Sequence, residues 1–285
     1  MPRLRLCVAA ALLPTLGLPS TACGQVYLGL DAAVRSPYVW RGVTRANGSV
    51  AQPEGFVSVK AGGGFLTGGA WASYELGHAG PDELSDLGPG QAGLAEVNYW
   101  GQATWSLGMM QAAVGGIRYT FRGTAPTAGR TRADNTTELF VDLRATSKYI
   151  VPGFALWLDA DRVRGAYIEG SATVPLLANP LAAPFIGLIT RAVLGYTLGQ
   201  EVNTRDPSQG AYFARAGVTH LDLAVSTDVT LHPLRVTTVL RLEGHAQFSA
   251  DNATRPINAS PSDAGRSVKL WAALALRLSG PIVSW

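Results

Sequence analysis

Cysteine is nearly missing from this chain. Of 285 residues only Cys7 and Cys23 carry a thiol, and both lie in the first 24 positions. Beyond them no disulfide framework, thiolate zinc site or CxxC redox pair can form. Charge is scarce too: Asp, Glu, Lys and Arg make up 15% of residues, against a usual ~25%. The formal net charge is +3, and Arg3 and Arg5 supply two of those positives. That leaves no electrostatic footprint for nucleic acid. With 47% hydrophobic residues, the chain has too much apolar surface for a disordered polymer. Long uninterrupted apolar runs are also lacking. The best candidate for a spanning helix, Ala172 to Thr190, is uncharged but contains Pro175, Pro180 and Pro184, which suit a turn between strands better than a helix.

The N-terminus reads as an export signal. Arg3 and Arg5 form a basic region, Leu6 to Leu18 an apolar one, and Pro19 to Gly24 a stretch of small residues before Gln25. That pattern predicts a Sec-type signal peptide over residues 1–24 and a single mature domain over 25–285. A second reading makes Cys23 a lipidated first residue, with Ser20 where that motif expects Leu.

What the rest of the chain has in abundance is alternation. Val97, Tyr99, Gly101, Ala103 and Trp105 alternate with Glu96, Asn98, Trp100, Gln102 and Thr104. Leu240, Leu242, Gly244 and Ala246 alternate with Arg241, Glu243, His245 and Gln247, and Leu270 to Leu278 repeat the pattern. Side chains of a strand point alternately to its two faces, so each segment has one apolar and one mixed wall. Such segments predict about twelve strands, near 26–36, 54–61, 65–76, 93–105, 112–122, 136–145, 153–162, 165–174, 184–198, 211–230, 235–248 and 267–279. Connections after odd strands are mostly long and those after even strands mostly short. This is the pattern of a closed antiparallel transmembrane β-barrel, all-β, with both termini on the short-turn side. Closure satisfies every backbone N–H and C=O inside lipid. A soluble β-sandwich also alternates, but its outer face would carry more lysine and glutamate than this chain has.

In a barrel, the charges within strands belong on the lumen side, because Arg or Lys facing lipid at mid-depth costs ~2–4 kcal/mol. The predicted pore-lining residues are Glu96, Arg118, Arg122, Glu138, Asp142, Arg144, Glu169, Arg191, Arg215, Arg241, Glu243, Lys269 and Arg277. Two readings of them stay open: a conducting wall whose charges set solute preference, or a lumen filled by paired acids and bases. Basic members outnumber acidic ones, which leans towards anion preference.

The candidate catalytic bases are His78, His220, His232 and His245. None has a Ser two residues away on the same strand face, as barrel lipid hydrolases place it. Asp82, Glu83 and Asp86 lie in a Gly/Pro-rich loop without EF-hand spacing. No catalytic residue, metal site or cofactor is expected.

Residues 36–44 read Ser36-Pro37-Tyr38-Val39-Trp40-Arg41-Gly42-Val43-Thr44. This segment resembles the S-D-Y-x-x-R-G signature near the mature N-terminus of the TorF-like porin family, with Ser36, Tyr38, Arg41 and Gly42 matching and Pro37 standing where the family has Asp. Gln52 to Phe56 and Gly69 to Ser73 resemble that family's next strands, so the likeness covers roughly 25–76. It implies an outer-membrane location and a porin role. The partners then expected are outer-membrane lipids, the barrel-assembly machinery and small polar solutes or ions, with no nucleic acid and no oligomeric state legible. The alternatives are a non-conducting barrel that binds partners through its loops and, behind it, a lipid-modifying enzyme.

Overall fold

The computed structural model describes residues 25–77, 87, 91–122, 135–145, 147–178, 185–201, 212–213, 215–231, 237–249 and 268–284. Residues 1–24, read from the sequence as an export signal, the acidic loop residues Asp82, Glu83 and Asp86, and His78 and His232 lie outside these.

Twelve strands close into one antiparallel barrel. They are β1 (Gln25–Ser36), β4 (Val50–Ala61), β5 (Gly64–Glu75), β6 (Gly93–Leu107), β7 (Met110–Phe121), β8 (Thr136–Ala145), β9 (Val151–Asp159), β10 (Ala166–Ala178), β11 (Phe185–Leu198), β12 (Gly217–Leu231), β13 (Thr237–Ser249) and β14 (Val268–Ser284). Each pairs with its neighbour in sequence, and β1 pairs with β14 to seal the sheet. The remaining two, β2 (Tyr38–Trp40) and β3 (Val43–Ala46), form a separate hairpin in the first long connection.

The alternating pattern sets which wall faces where. Leu28, Leu30, Val57, Leu66, Tyr99, Leu139, Leu158, Leu194, Leu223, Leu242, Leu270 and Leu274 are large apolar residues left exposed on the outer face. In water so wide an apolar surface would drive aggregation; against acyl chains it is what a spanning barrel needs. Inward-facing positions hold most of the described ion pairs, and here aromatic rings lie over glycine. A Cβ built on Gly29 would stand 2.0 Å from Cζ of Phe56, and one on Gly115 would stand 2.6 Å from Cζ of Phe140.

Strand positions agree closely with the sequence reading, most ends falling within three residues; β4 begins four residues earlier, at Val50, and β10 ends four later, at Ala178. β12 begins at Gly217 rather than 211. β9 stops at Asp159, because its carboxylate accepts the backbone N–H groups of Asp161, Val163 and Arg164 and bends the chain into a turn. β14 runs past Pro281 to Ser284. Its pairing with β13 ends at Ser279, so beyond that point it is bonded to β1 alone, where proline is tolerated in a strand.

Candidate functional site: the barrel lumen

The first long connection does not stay outside. The β2–β3 hairpin folds into the long-loop end of the lumen, and all four residues of β3 are buried. Trp40 pairs with Val43 across a two-residue loop, Arg41-Gly42. Both loop residues have positive φ, +50° and +86°, as a tight hairpin of the primed type requires. Glycine takes that conformation freely, whereas arginine does so at a cost of about 1–3 kcal/mol.

The contacts of Arg41 offset that cost. Its Nη1 and Nη2 donate to Oε1 and Oε2 of Glu138 on β8, both at 2.7 Å. The guanidinium also lies over the rings of Tyr167, Trp40 and Trp157 at 4.4, 4.5 and 5.0 Å, each such contact worth up to ~2 kcal/mol when water is excluded. Burial disfavours its charge, but Glu138 outweighs burial and holds the group protonated, above its already high range. Glu138 is itself fully buried. It accepts further hydrogen bonds from Tyr119 Oη at 3.0 Å and Gln200 Nε2 at 3.4 Å. A buried carboxylate with four donors is fully satisfied, which such groups must be.

Two more inward residues hold the hairpin. Gln247 Nε2 donates to the Gly42 carbonyl at 3.1 Å, and Lys269 Nζ donates to Thr44 Oγ1 at 2.6 Å. Gly42 also abuts His220: a Cβ there would stand 3.0 Å from its Cβ and Nδ1. Around the tip, Val43 packs with Val163, Tyr167, Tyr212 and Phe213. At its base Tyr38 and Ala46 pack with Val50 and Trp71.

Below the hairpin the lumen is lined by charge. A cavity of 240 Å³ is bordered by Asp31, Arg35, Glu54, Asp228, Arg241, Glu243 and Arg277. A second of 650 Å³, also bordered by Arg277, includes Phe56, Phe140, Asp142, Arg144 and Trp157. Most charges here are paired across or along strands: Asp31–Arg277 at 2.6 Å, Asp228–Arg241 at 2.6 Å, Asp142–Arg144 at 2.9 Å and Glu169–Arg191 at 3.0 Å. His245 lies between Asp222 at 2.9 Å and Glu243 at 3.5 Å, stacked on Trp271 with ring centroids 3.4 Å apart.

Of the thirteen residues predicted to line the pore, register places Glu96, Glu138, Asp142, Arg144, Glu169, Arg191, Arg241, Glu243, Lys269 and Arg277 on the inner wall. Three need correction. Arg118 pairs with the outward Tyr99 and therefore faces outward itself. Arg122 follows the end of β7 and is exposed, and Arg215 lies exposed in the turn before β12. The reason is position along the strand: near a rim an outward arginine can reach the headgroup layer, so the mid-depth penalty does not apply. Sequence reading missed Asp31, Arg35, Glu54, Asp222 and Asp228, all inward. Each shares the parity of a neighbouring polar residue, a signal that was present in the alternation. Arg41 had no such signal beyond the signature itself.

The chain has the outer-membrane β-barrel fold. No protein-family model and no curated protein matches it. Among solved structures it is similar to the translocator domain of the autotransporter NalP from Neisseria meningitidis, at 12% identity over 93% of this chain and 90% of that one, with a TM-score of 0.42. It is also similar to a bacterial polysaccharide outer membrane secretin (8% identity, 90% and 98% covered, TM-score 0.40) and to OccK5 of Pseudomonas aeruginosa (10% identity, 91% and 98% covered, TM-score 0.34). These likenesses concern the barrel and assign no activity.

Proposed function

We propose that the protein is a porin-like barrel of the TorF-like type, providing a narrow diffusive path for ions or small polar solutes, with the β2–β3 hairpin as its constriction. The observation that carries this reading is the charged, cavity-containing lumen beneath a hairpin held by one bidentate ion pair, Arg41–Glu138. A pore wall built of fixed charges favours polar solutes over apolar ones. Its work is diffusion rather than catalysis. The Ser36 to Gly42 signature finds a physical role here, since Tyr38, Arg41 and Gly42 seat the hairpin.

A second reading is supported by the same hairpin. The complete burial of its second strand, β3, suits a non-conducting barrel that presents its loops to partners. Planar-bilayer recording separates the two. The porin reading expects small unitary currents from the wild type and larger ones from Arg41→Ala. Silence from both, in preparations whose gel mobility changes on heating as a folded barrel's does, would leave the non-conducting reading.

A further inference from the structure

An arginine on the lipid side of a barrel needs a reason. Arg118 lies on the outer face of β7, three residues before its long-loop end, beside the exposed ring of Tyr99. Below it the outer wall turns apolar, with Gly116 opposite Leu139 and Leu158 beyond. Its side chain meets Asp161 in the β9–β10 turn at 2.7 Å and Thr137 Oγ1 at 2.8 Å. Both bonds leave from Nη1. Among the described residues Nε and Nη2 make none, although the side chain is only 43% exposed.

The turn that supplies Asp161 adds two more cations. Arg162 and Arg164 flank Val163, which points into the lumen and is buried, and both arginines are exposed. Arg164 stands at φ +55° and bonds back from Nε to the Asp161 carbonyl at 3.2 Å. Three arginines thus stand on one stretch of rim, Arg118 bonded to the exposed Asp161 carboxylate and Arg162 and Arg164 in the same turn as that acid, where long loops emerge and directly above an apolar belt.

We propose that Arg118, Arg162 and Arg164 form a docking site for the phosphorylated headgroup of an outer-leaflet glycolipid. Charge complementarity and height on the wall select this occupant. Long loops mark the extracellular rim, so the cluster stands at the headgroup level of the outer leaflet. Guanidinium forks match phosphate oxygens in pairs, and the apolar wall below takes the acyl chains of the same molecule. Asp161 preorients Arg118 and at the same time opposes the anion. The site rests on the outer-membrane reading of the fold, not on whether the lumen conducts.

Native mass spectrometry of the detergent-solubilised folded barrel tests the site, using bis-phosphorylated lipid A, its dephosphorylated form and inorganic phosphate as probes. The phosphorylated lipid is expected to bind at least about tenfold more tightly than the dephosphorylated one, the equivalent of one charge-assisted contact. The triple variant R118Q/R162Q/R164Q is expected to lose that advantage while keeping its heat-modifiable gel shift. Asp161→Asn, which retains every arginine, is expected to bind the phosphorylated lipid more tightly than wild type. Equal binding of both lipids, an unaffected triple variant, or an Asp161→Asn variant that binds no better would overturn the proposal. Displacement of the lipid by millimolar inorganic phosphate would reassign the cluster to free anions and overturn it as well. Loss of conductance with lipid binding intact would count against the porin reading alone.

Discussion

Arg41 and Glu138 are 97 residues apart in sequence and share two hydrogen bonds of 2.7 Å inside the barrel. One belongs to a two-residue hairpin turn and the other to the wall. Their union fixes an inserted segment of chain to the sheet that encloses it.

Breaking that union from either side is expected to release the hairpin. Arg41→Ala leaves a fully buried carboxylate without its cation, and Glu138→Gln leaves a buried guanidinium without its anion. Removal of one partner of such a pair typically costs about 3–5 kcal/mol. The measurement is protease susceptibility of residues 37–49 in the folded barrel. A hairpin as protected in both variants as in the wild type would contradict the clamp.

Gly42→Ala tests the tip by a different route. It places a Cβ 3.0 Å from the ring of His220 at a φ of +86°. A loss of about 1–3 kcal/mol is expected from the backbone alone. Unfolding in urea, followed by the same protease digestion, should show the hairpin freed before the barrel melts. A Gly42→Ala hairpin with wild-type protection would show that the turn does not need glycine.

The inward rings predict a size-swap pair. Gly29→Val is expected to displace Phe56, whose Cζ lies 2.0 Å from a Cβ at that position, and overpacking of this kind costs about 1–3 kcal/mol. Adding Phe56→Ala to Gly29→Val should recover part of the loss. Thermal midpoints from heat-modifiable gels would show it, and additive losses would place the ring elsewhere.

The outer face predicts a depth effect. Val141 faces outward in the middle of β8, so Val141→Arg is expected to lower folding stability in vesicles by ~2–4 kcal/mol. Thr137→Arg, beside Arg118 near the rim, should cost much less. Equal losses at both positions would mean that the acyl layer does not cover this wall.

Charge along the inner wall predicts ion preference. The excess of basic over acidic residues among the sequence-predicted lining leans towards anions. Among the described inward positions carboxylates predominate, because Arg118, Arg122 and Arg215 leave the list while Asp31, Glu54, Asp222 and Asp228 join it with Arg35. If currents are recorded, reversal potentials in a potassium chloride gradient should show cation preference. Anion preference would mean that the paired acids are electrically silent and that Arg35 or Lys269 dominates the path.

The sequence by itself determined the barrel: its strand number, the inward and outward parity of its strongly alternating strands and the side of the sheet that carries long loops. Period-2 alternation is a local property, fixed by the geometry of one strand, so reading Leu240, Leu242 and Gly244 against Arg241, Glu243 and His245 needs no knowledge of neighbours. Only the tertiary structure decided that the first long connection turns inward, that Arg41 meets Glu138, and that Arg118 sits high enough on the wall to face out. Those outcomes depend on depth and on contacts across nearly a hundred residues. Parity says which face a side chain takes, but not how far along the barrel it stands or what part of the chain returns to meet it.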